Sequence, residues 1–276
     1  MYRYSMTQWI VGNEDIEYSF QRLKKYGYDG IEFAAEPYTL DTDKMIALME
    51  KYDIYCSSLC GIFTENRDLS AKDGKSGIQY LKDCVDLAVK VKAPYIIVVP
   101  SPVGRTEPTE MCTYEEAWSN AVKNIRIAAD YAQSKGVRLA IEAINRYETY
   151  LVNDLTKALC FVKEINHPAV GLMADLFHMS IEEKNIGASL RMVAEYLMHI
   201  HIADNTREAA GLGSTDFKEV LYVLKDINYK GPLTMEFLPK VANPYVASDM
   251  RTHAKMMDDF AEQAINYMKM LELSIL

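Results

Sequence analysis

The stretch TYEEAWSNAVKNIRIAADYAQSKGVRLAIE, Thr113 to Glu142, decides the fold. Its first four residues form a T-x-x-E capping box, in which the Thr113 hydroxyl and the Glu116 carboxylate each satisfy a backbone N–H at a helix start. Ala117, Ala121, Ile125, Ala128 and Ala132 follow at the spacing of one apolar helix face. The run after it, Val137-Arg-Leu-Ala-Ile-Glu142, is a short apolar, β-branched strand that ends on a carboxylate.

The same alternation recurs outward in both directions. Strands are expected near Arg3–Thr7, Gly30–Ala34, Tyr55–Gly61, Tyr95–Val99, Arg138–Glu142, Val170–Ala174, Met198–Ala203 and Leu233–Phe237, with segments of helical period between them. Asn13 is placed to cap the first helix. Short parallel strands joined by crossover helices imply an α/β chain, and eight such units within 276 residues make a single (β/α)8 TIM barrel. No Pro/Gly/Ser-rich linker or composition break interrupts the series, so residues 1–276 read as one domain. An open doubly wound sheet would carry a glycine fingerprint after its first strand, and Thr7-Gln-Trp-Ile-Val-Gly12 is not one.

Composition narrows the function. Hydrophobic residues make up 49% of the chain and charged residues 25%, the balance of a chain that buries a large core. A net charge of −9 repels phosphate backbones and anionic lipid, so neither nucleic acid nor membrane is an expected partner. Cys56, Cys60, Cys84, Cys112 and Cys160 are odd in number and form no CxxC or CxxH pair, the pattern of reduced thiols in a cytoplasmic protein. No basic leader followed by an apolar run opens the chain, and no apolar run reaches the roughly 18 residues of a membrane span.

In a barrel of this type chemistry sits at the C-terminal ends of the strands. Four late strands close there on polar residues: the fifth on Glu142, the sixth on Asp175-Leu-Phe-His178, the seventh on His199-Ile-His201-Ile-Ala-Asp204 and the eighth on Glu236. Taken singly, each is more readily a solvated carboxylate or a hydrogen-bonded core histidine. Together, three carboxylates at one mouth repel unless a cation lies between them, and three oxygen donors with one imidazole suit Mn2+, Co2+ or Mg2+. His199 and His201 point to the same side of the strand at different heights, so His201 is expected to reach a metal and His199 to support a ligand from behind or fill an interior layer. Glu32 lies across the barrel from these strands and is read as structural or substrate-facing.

The segments Glu142-Ala-Ile-Asn-Arg-Tyr-Glu148, Asp175-Leu-Phe-His-Met-Ser-Ile-Glu-Glu183, His199-Ile-His201 with Arg207, and Glu236-Phe resemble the D-tagatose/D-psicose 3-epimerase family of the xylose-isomerase-like barrels. The resemblance covers strands five to eight; the early half, with Met6, Trp9, Cys60 and Pro100, supports only the fold. It implies one Mn2+-like ion on Glu142, Asp175, His201 and Glu236, with Glu148, His178 and Arg207 holding a small sugar, and a homo-oligomer, dimer or tetramer. Glu142 and Glu236 would then be the catalytic acid and base that epimerise a ketose at C3 through a cis-enediolate.

Other readings stay open. An aldose-ketose or hydroxypyruvate-type isomerase, or an inosose dehydratase, would use the same metal site. An endonuclease IV-like enzyme would need further histidines in Tyr55–Gly61 and Tyr95–Pro100, which contain none. A sugar-binding barrel without catalysis would have lost a ligand or base. Gly211-Leu-Gly213-Ser-Thr215 is read as a flexible loop or, alternatively, a segment that approaches a substrate or a phosphate.

Overall fold

A computed structural model of the protein describes residues 1–110, 112–239 and 254–275. Eight strands, β1 (Tyr4–Thr7), β2 (Gly30–Ala35), β3 (Tyr55–Gly61), β4 (Tyr95–Val98), β5 (Arg138–Glu142), β6 (Val170–Asp175), β7 (Leu197–Ile202) and β8 (Leu233–Met235), pair in parallel in chain order, and β8 closes onto β1. Helices α1 (Ile16–Tyr26), α2 (Thr42–Tyr52), α3 (Lys75–Val91), α4 (Tyr114–Ser134), α5 (Leu155–Ile165), α6 (Leu176–Glu182), α7 (Ile186–Met192), α8 (Phe217–Asp226) and α9 (Ala254–Ile275) lie between and after them. The expected (β/α)8 barrel is therefore the observed fold.

Local chemistry explains the helix starts. The Thr113–Glu116 capping box is formed in both directions, at 3.2 and 2.9 Å. Ala117, Ala121, Ile125, Ala128 and Ala132 are all fully buried, so the expected face of α4 is the one that packs on the sheet. The first helix corrects the expectation at Asn13: Asp15, whose Oδ1 accepts from Glu17 N at 2.9 Å, is the cap. Helical dihedrals begin only at Ile16, and a cap must sit immediately before them.

Two bulges set the barrel interior. Between β6 and β7 the pairing passes from Leu172↔Leu197 to Met173↔His199, which inserts Met198 and brings Asp175 level with His201. Without that extra residue Asp175 would face Ile200, because a one-residue slip exchanges the two faces of a strand. Gly171 is required where the bulge folds over it: a Cβ there would run into the Met198 side chain and Tyr196 O. Between β2 and β3 the pairing passes from Ile31↔Cys56 to Glu32↔Ser58, skipping Ser57 and placing a hydroxyl opposite Glu32.

The interior is accordingly divided. Cys60, Ile97, Ala140, Met173 and Met198 form an apolar cluster, whereas Ser5, Glu32, Ser58, His199 and Thr234 are buried polar residues. Outside the sheet, Phe20, Leu81, Phe161, Leu221 and Leu224 join the helices to it, each burial contributing about 1.5–3 kcal/mol. Among the described residues no helix is long and apolar enough to cross a membrane.

Candidate active site

Glu142 and Asp175 are the last residues of β5 and β6, His201 is the last but one of β7, and Glu236 follows β8 directly. Glu236 N donates to Ile202 O at 2.9 Å, which carries the pairing one step past the strand and points the side chain into the mouth. All four are buried, at 5%, 2%, 1% and 4% exposure. Ligand-type atoms of Glu142, Asp175 and His201 lie within 4.8 Å of one another, and Glu236 Oε2 is 3.1 Å from His201 Nδ1. The structure thus brings the four sequence-predicted ligands together.

The two oxygens of Asp175 do different work. Oδ1 caps α6, accepting from Phe177 N at 2.7 Å and His178 N at 3.3 Å. Oδ2 has no hydrogen-bond partner among the described residues, and neither has His201 Nδ1; the two atoms are 3.9 Å apart. A buried carboxylate oxygen and a buried imidazole nitrogen left without donors are costly. Three carboxylates and an imidazole nitrogen form an oxygen-rich donor set, and a divalent cation would satisfy Asp175 Oδ2 and His201 Nδ1 at once, so the residues present fit such an ion.

Electrostatics carry the same strain. Burial, aided by the charges of Glu236 and Asp175, holds the Glu142 carboxyl well above the usual range. Burial opposes the charge on Glu236, but the adjacent His201 outweighs it and brings the carboxyl down to about 2. Burial also opposes the His201 cation, and Glu236 with Glu32 overcomes it and raises the imidazole.

The remaining expected residues line the same cavity of about 360 Å3, the size of a small-molecule pocket. Asn145 Nδ2 donates to Glu148 Oε1 at 2.9 Å and to His178 Nδ1 at 2.7 Å. Burial pushes the His178 imidazole down to about 3, so the neutral ring carries its proton on Nε2. That nitrogen lies 3.6 Å from Asp175 Oδ2 and 4.0 Å from Glu142 Oε1. Arg207 bonds Glu236 Oε2 at 3.2 Å and stacks its guanidinium 4.4 Å over the Phe177 ring.

The segment after β7 is neither a flexible loop nor a phosphate cradle. Its backbone N–H groups, those of Asn205, Gly211, Gly213 and Thr215, all donate to the buried Asp204 carboxylate at 2.8–3.0 Å. The anion bound by this glycine segment is therefore internal, and the loop holds Arg207 with a positive φ of 63°.

One contact at the site was not expected, and one open reading is decided. Trp9, in the turn after β1, donates Nε1–H to Glu236 Oε1 at 2.9 Å; a tryptophan just past a strand end was the available signal. Of the two readings left open for Glu32, structural or substrate-facing, the structure supports the first. The side chain is fully buried and bonds His199 Nε2 at 3.0 Å and His201 Nε2 at 3.0 and 3.1 Å. Ile62, Phe63, Val99, Val103 and Ile144 complete the cavity with an apolar wall. A larger depression, about 470 Å3, opens at the opposite end among Tyr2, Arg3, Lys225 and Lys230; none of the converging groups reaches it.

Residues 20–259 match the family described as xylose isomerase-like TIM barrel. The D-psicose 3-epimerase of Ruminiclostridium cellulolyticum is 28% identical over 283 aligned positions, spanning 96% of this chain and 94% of that protein. The L-ribulose 3-epimerase of Methylomonas sp. is 28% identical over 259 positions, 88% of this chain and 87% of that protein. Among solved structures, a D-allulose 3-epimerase from Methylomonas sp. in complex with D-allulose has a TM-score of 0.85 at 26% identity, covering 98% of this chain and 96% of that one.

Proposed function

Because this chain belongs to the xylose isomerase-like TIM barrel family, we propose that it is a divalent-metal-dependent sugar epimerase, an enzyme of the isomerase class, acting at C3 of a free ketose. The observation that carries the reading is the convergence of Glu142 from β5 and Glu236 from beyond β8 on one buried cavity, with Asp175 and His201 on the strands between them. The activities of the 3-epimerases named above support the same reaction type.

Glu142, Asp175, His201 and Glu236 would hold the ion, Mn2+ by preference, which when bound supplies Lewis-acid stabilisation of the negative charge that builds on the ketose carbonyl oxygen. One of Glu142 and Glu236 removes the C3 proton; the C–H electron pair moves to the carbonyl and leaves a cis-enediolate. The other glutamate returns a proton to the opposite face of C3, inverting it. Neutral His178 donates from Nε2 to a sugar oxygen, and Arg207 offers a fixed fork of donors beside Glu236. Glu148 accepts a sugar hydroxyl, positioned by Asn145. The apolar wall around the rest of the cavity excludes water from the carbanion-like intermediate.

That wall also supports an unphosphorylated substrate. Arg207 is the basic residue lining the cavity among the described residues, and it is already engaged with Glu236. A phosphate would need several free donors.

The test is to incubate the Mn2+-loaded protein with free ketohexoses and ketopentoses in D2O and follow label by NMR. Deuterium at C3 together with the C3 epimer is the expected result. Label at C1 or C2 would replace the reading with an aldose-ketose isomerase, and no label from any sugar would sink it.

A further inference from the structure

The sharpest feature outside the cavity lies beneath it. Glu32 reaches from β2 across the interior to β7, and its carboxylate is surrounded by donors: His201 Nε2 at 3.0 and 3.1 Å, His199 Nε2 at 3.0 Å and Ser58 Oγ at 2.5 Å. None of these contacts faces the cavity, whose lining does not include Glu32, His199 or Ser58. The opposite nitrogen of the same ring, His201 Nδ1, faces Glu236 Oε2 at 3.1 Å and Asp175 Oδ2 at 3.9 Å.

We propose that Glu32 is the positioning residue of the metal centre: by accepting the Nε2–H of His201 it fixes the ring's orientation and tautomer, so that the Nδ1 lone pair is turned toward Glu142, Asp175 and Glu236. This rests on the reading of His201 as a metal ligand. A neutral imidazole has one N–H and one lone pair, and the partner of one nitrogen selects the role of the other. A carboxylate only accepts, so it admits the N–H and refuses the lone pair. Flipping the ring would set carbon atoms against both Glu32 and the carboxylates above. His199 and Ser58 hold Glu32 itself: they donate to the oxygen that His201 shares, and the β2–β3 bulge places Ser58 opposite Glu32 for that purpose. Glu32 touches no substrate and no reacting atom, so its contribution is to affinity for the ion.

The experiment uses the full chain stripped of metal. Mn2+ is titrated into the wild type, Glu32→Gln and His201→Ala, and free Mn2+ is read by electron paramagnetic resonance. The amide at position 32 keeps the size of the carboxylate but lacks its charge and one acceptor, so Mn2+ affinity should fall about 10- to 100-fold, with cooperative melting of the metal-free variant retained. Wild-type affinity in a folded Glu32→Gln protein overturns the inference alone. Wild-type affinity in His201→Ala overturns the metal reading and the inference with it. Should Glu32→Gln not fold, 15N-histidine NMR of the Mg2+-loaded wild type decides: a proton on His201 Nε2 and none on Nδ1 is expected, and the reverse tautomer overturns the proposal.

Discussion

Asp175 shows at the scale of one residue how the site is built. One of its oxygens starts a helix and the other is left bare beside His201 Nδ1, so the same side chain orders α6, which carries His178, and offers the atom proposed as a metal ligand. Glu236 is held from two sides, by Trp9 and by Arg207, which suits the acid–base role proposed for it. Glu236→Gln should retain the shape, and the amide oxygen can still coordinate, but it cannot act as a base. Proton exchange at C3 measured at saturating Mn2+ should fall by roughly 100- to 10,000-fold, while sugar binding to the Mn2+-loaded protein, measured by calorimetry, stays within a few-fold of wild type. Retained exchange would show that the proton is handled elsewhere.

At the scale of the element, the segment after β7 is held by one carboxylate. Burial alone would raise the Asp204 pKa, but the amides of Thr215, Gly213 and Asn205 outweigh it and hold the carboxyl below its ordinary value. In Asp204→Asn an amide NH2 would meet backbone N–H groups on one side, costing about 1–3 kcal/mol and loosening the loop that carries Arg207, so KM for the sugar should rise. The pH dependence follows from the sign of the shift. Because the folded-state pKa lies below the unfolded value, about 3.9, the stabilisation is complete above that pH and is lost as pH falls through the folded value. The stability gap between wild type and Asp204→Asn, read by urea unfolding, should therefore be constant from neutral pH down to about pH 5 and narrow below it. A second element-scale prediction concerns helix ends. α1, α2, α3 and α5 all stop at a left-handed residue, Gly27, Asp53, Lys92 and Asn166. Lys92 is exposed and has φ of 58°, so Lys92→Gly should relieve the strain of its Cβ and stabilise the protein by about 1 kcal/mol; a lower melting temperature would contradict this.

At the scale of the whole molecule, the proposed metal centre links ion to fold, because only the closed barrel brings β5 to β8 and Glu32 to one point. Mn2+ at about 100 times its Kd should add about 2.7 kcal/mol to stability, raising Tm by roughly 5–10 °C for a chain of this length, with chelation reversing the shift. An unchanged Tm would mean that the four ligands do not act together. Much of this was legible in the sequence, for a local reason. Alternating period, the Thr113–Glu116 box and the carboxylates that end β5 and β6 are written in adjacent residues, so the eight strands and the positions of Glu142, Asp175, His201 and Glu236 could be read without coordinates. Asn13 was misplaced because two capping-type residues lie within three positions and only the backbone dihedrals choose between them. Glu32 stayed open between a structural and a substrate-facing reading because a strand number says which side of the barrel a residue starts from, not how far its side chain reaches. The two bulges decide that reach: each adds one residue to a later strand, which no periodic pattern announces, and so sets His201 opposite Asp175 and Ser58 opposite Glu32. The sequence by itself determined which elements form and which residues end them. Register between strands, and with it the partner of every buried polar group, was decided only when the barrel closed, because pairing across a closed sheet is a property of all eight strands at once.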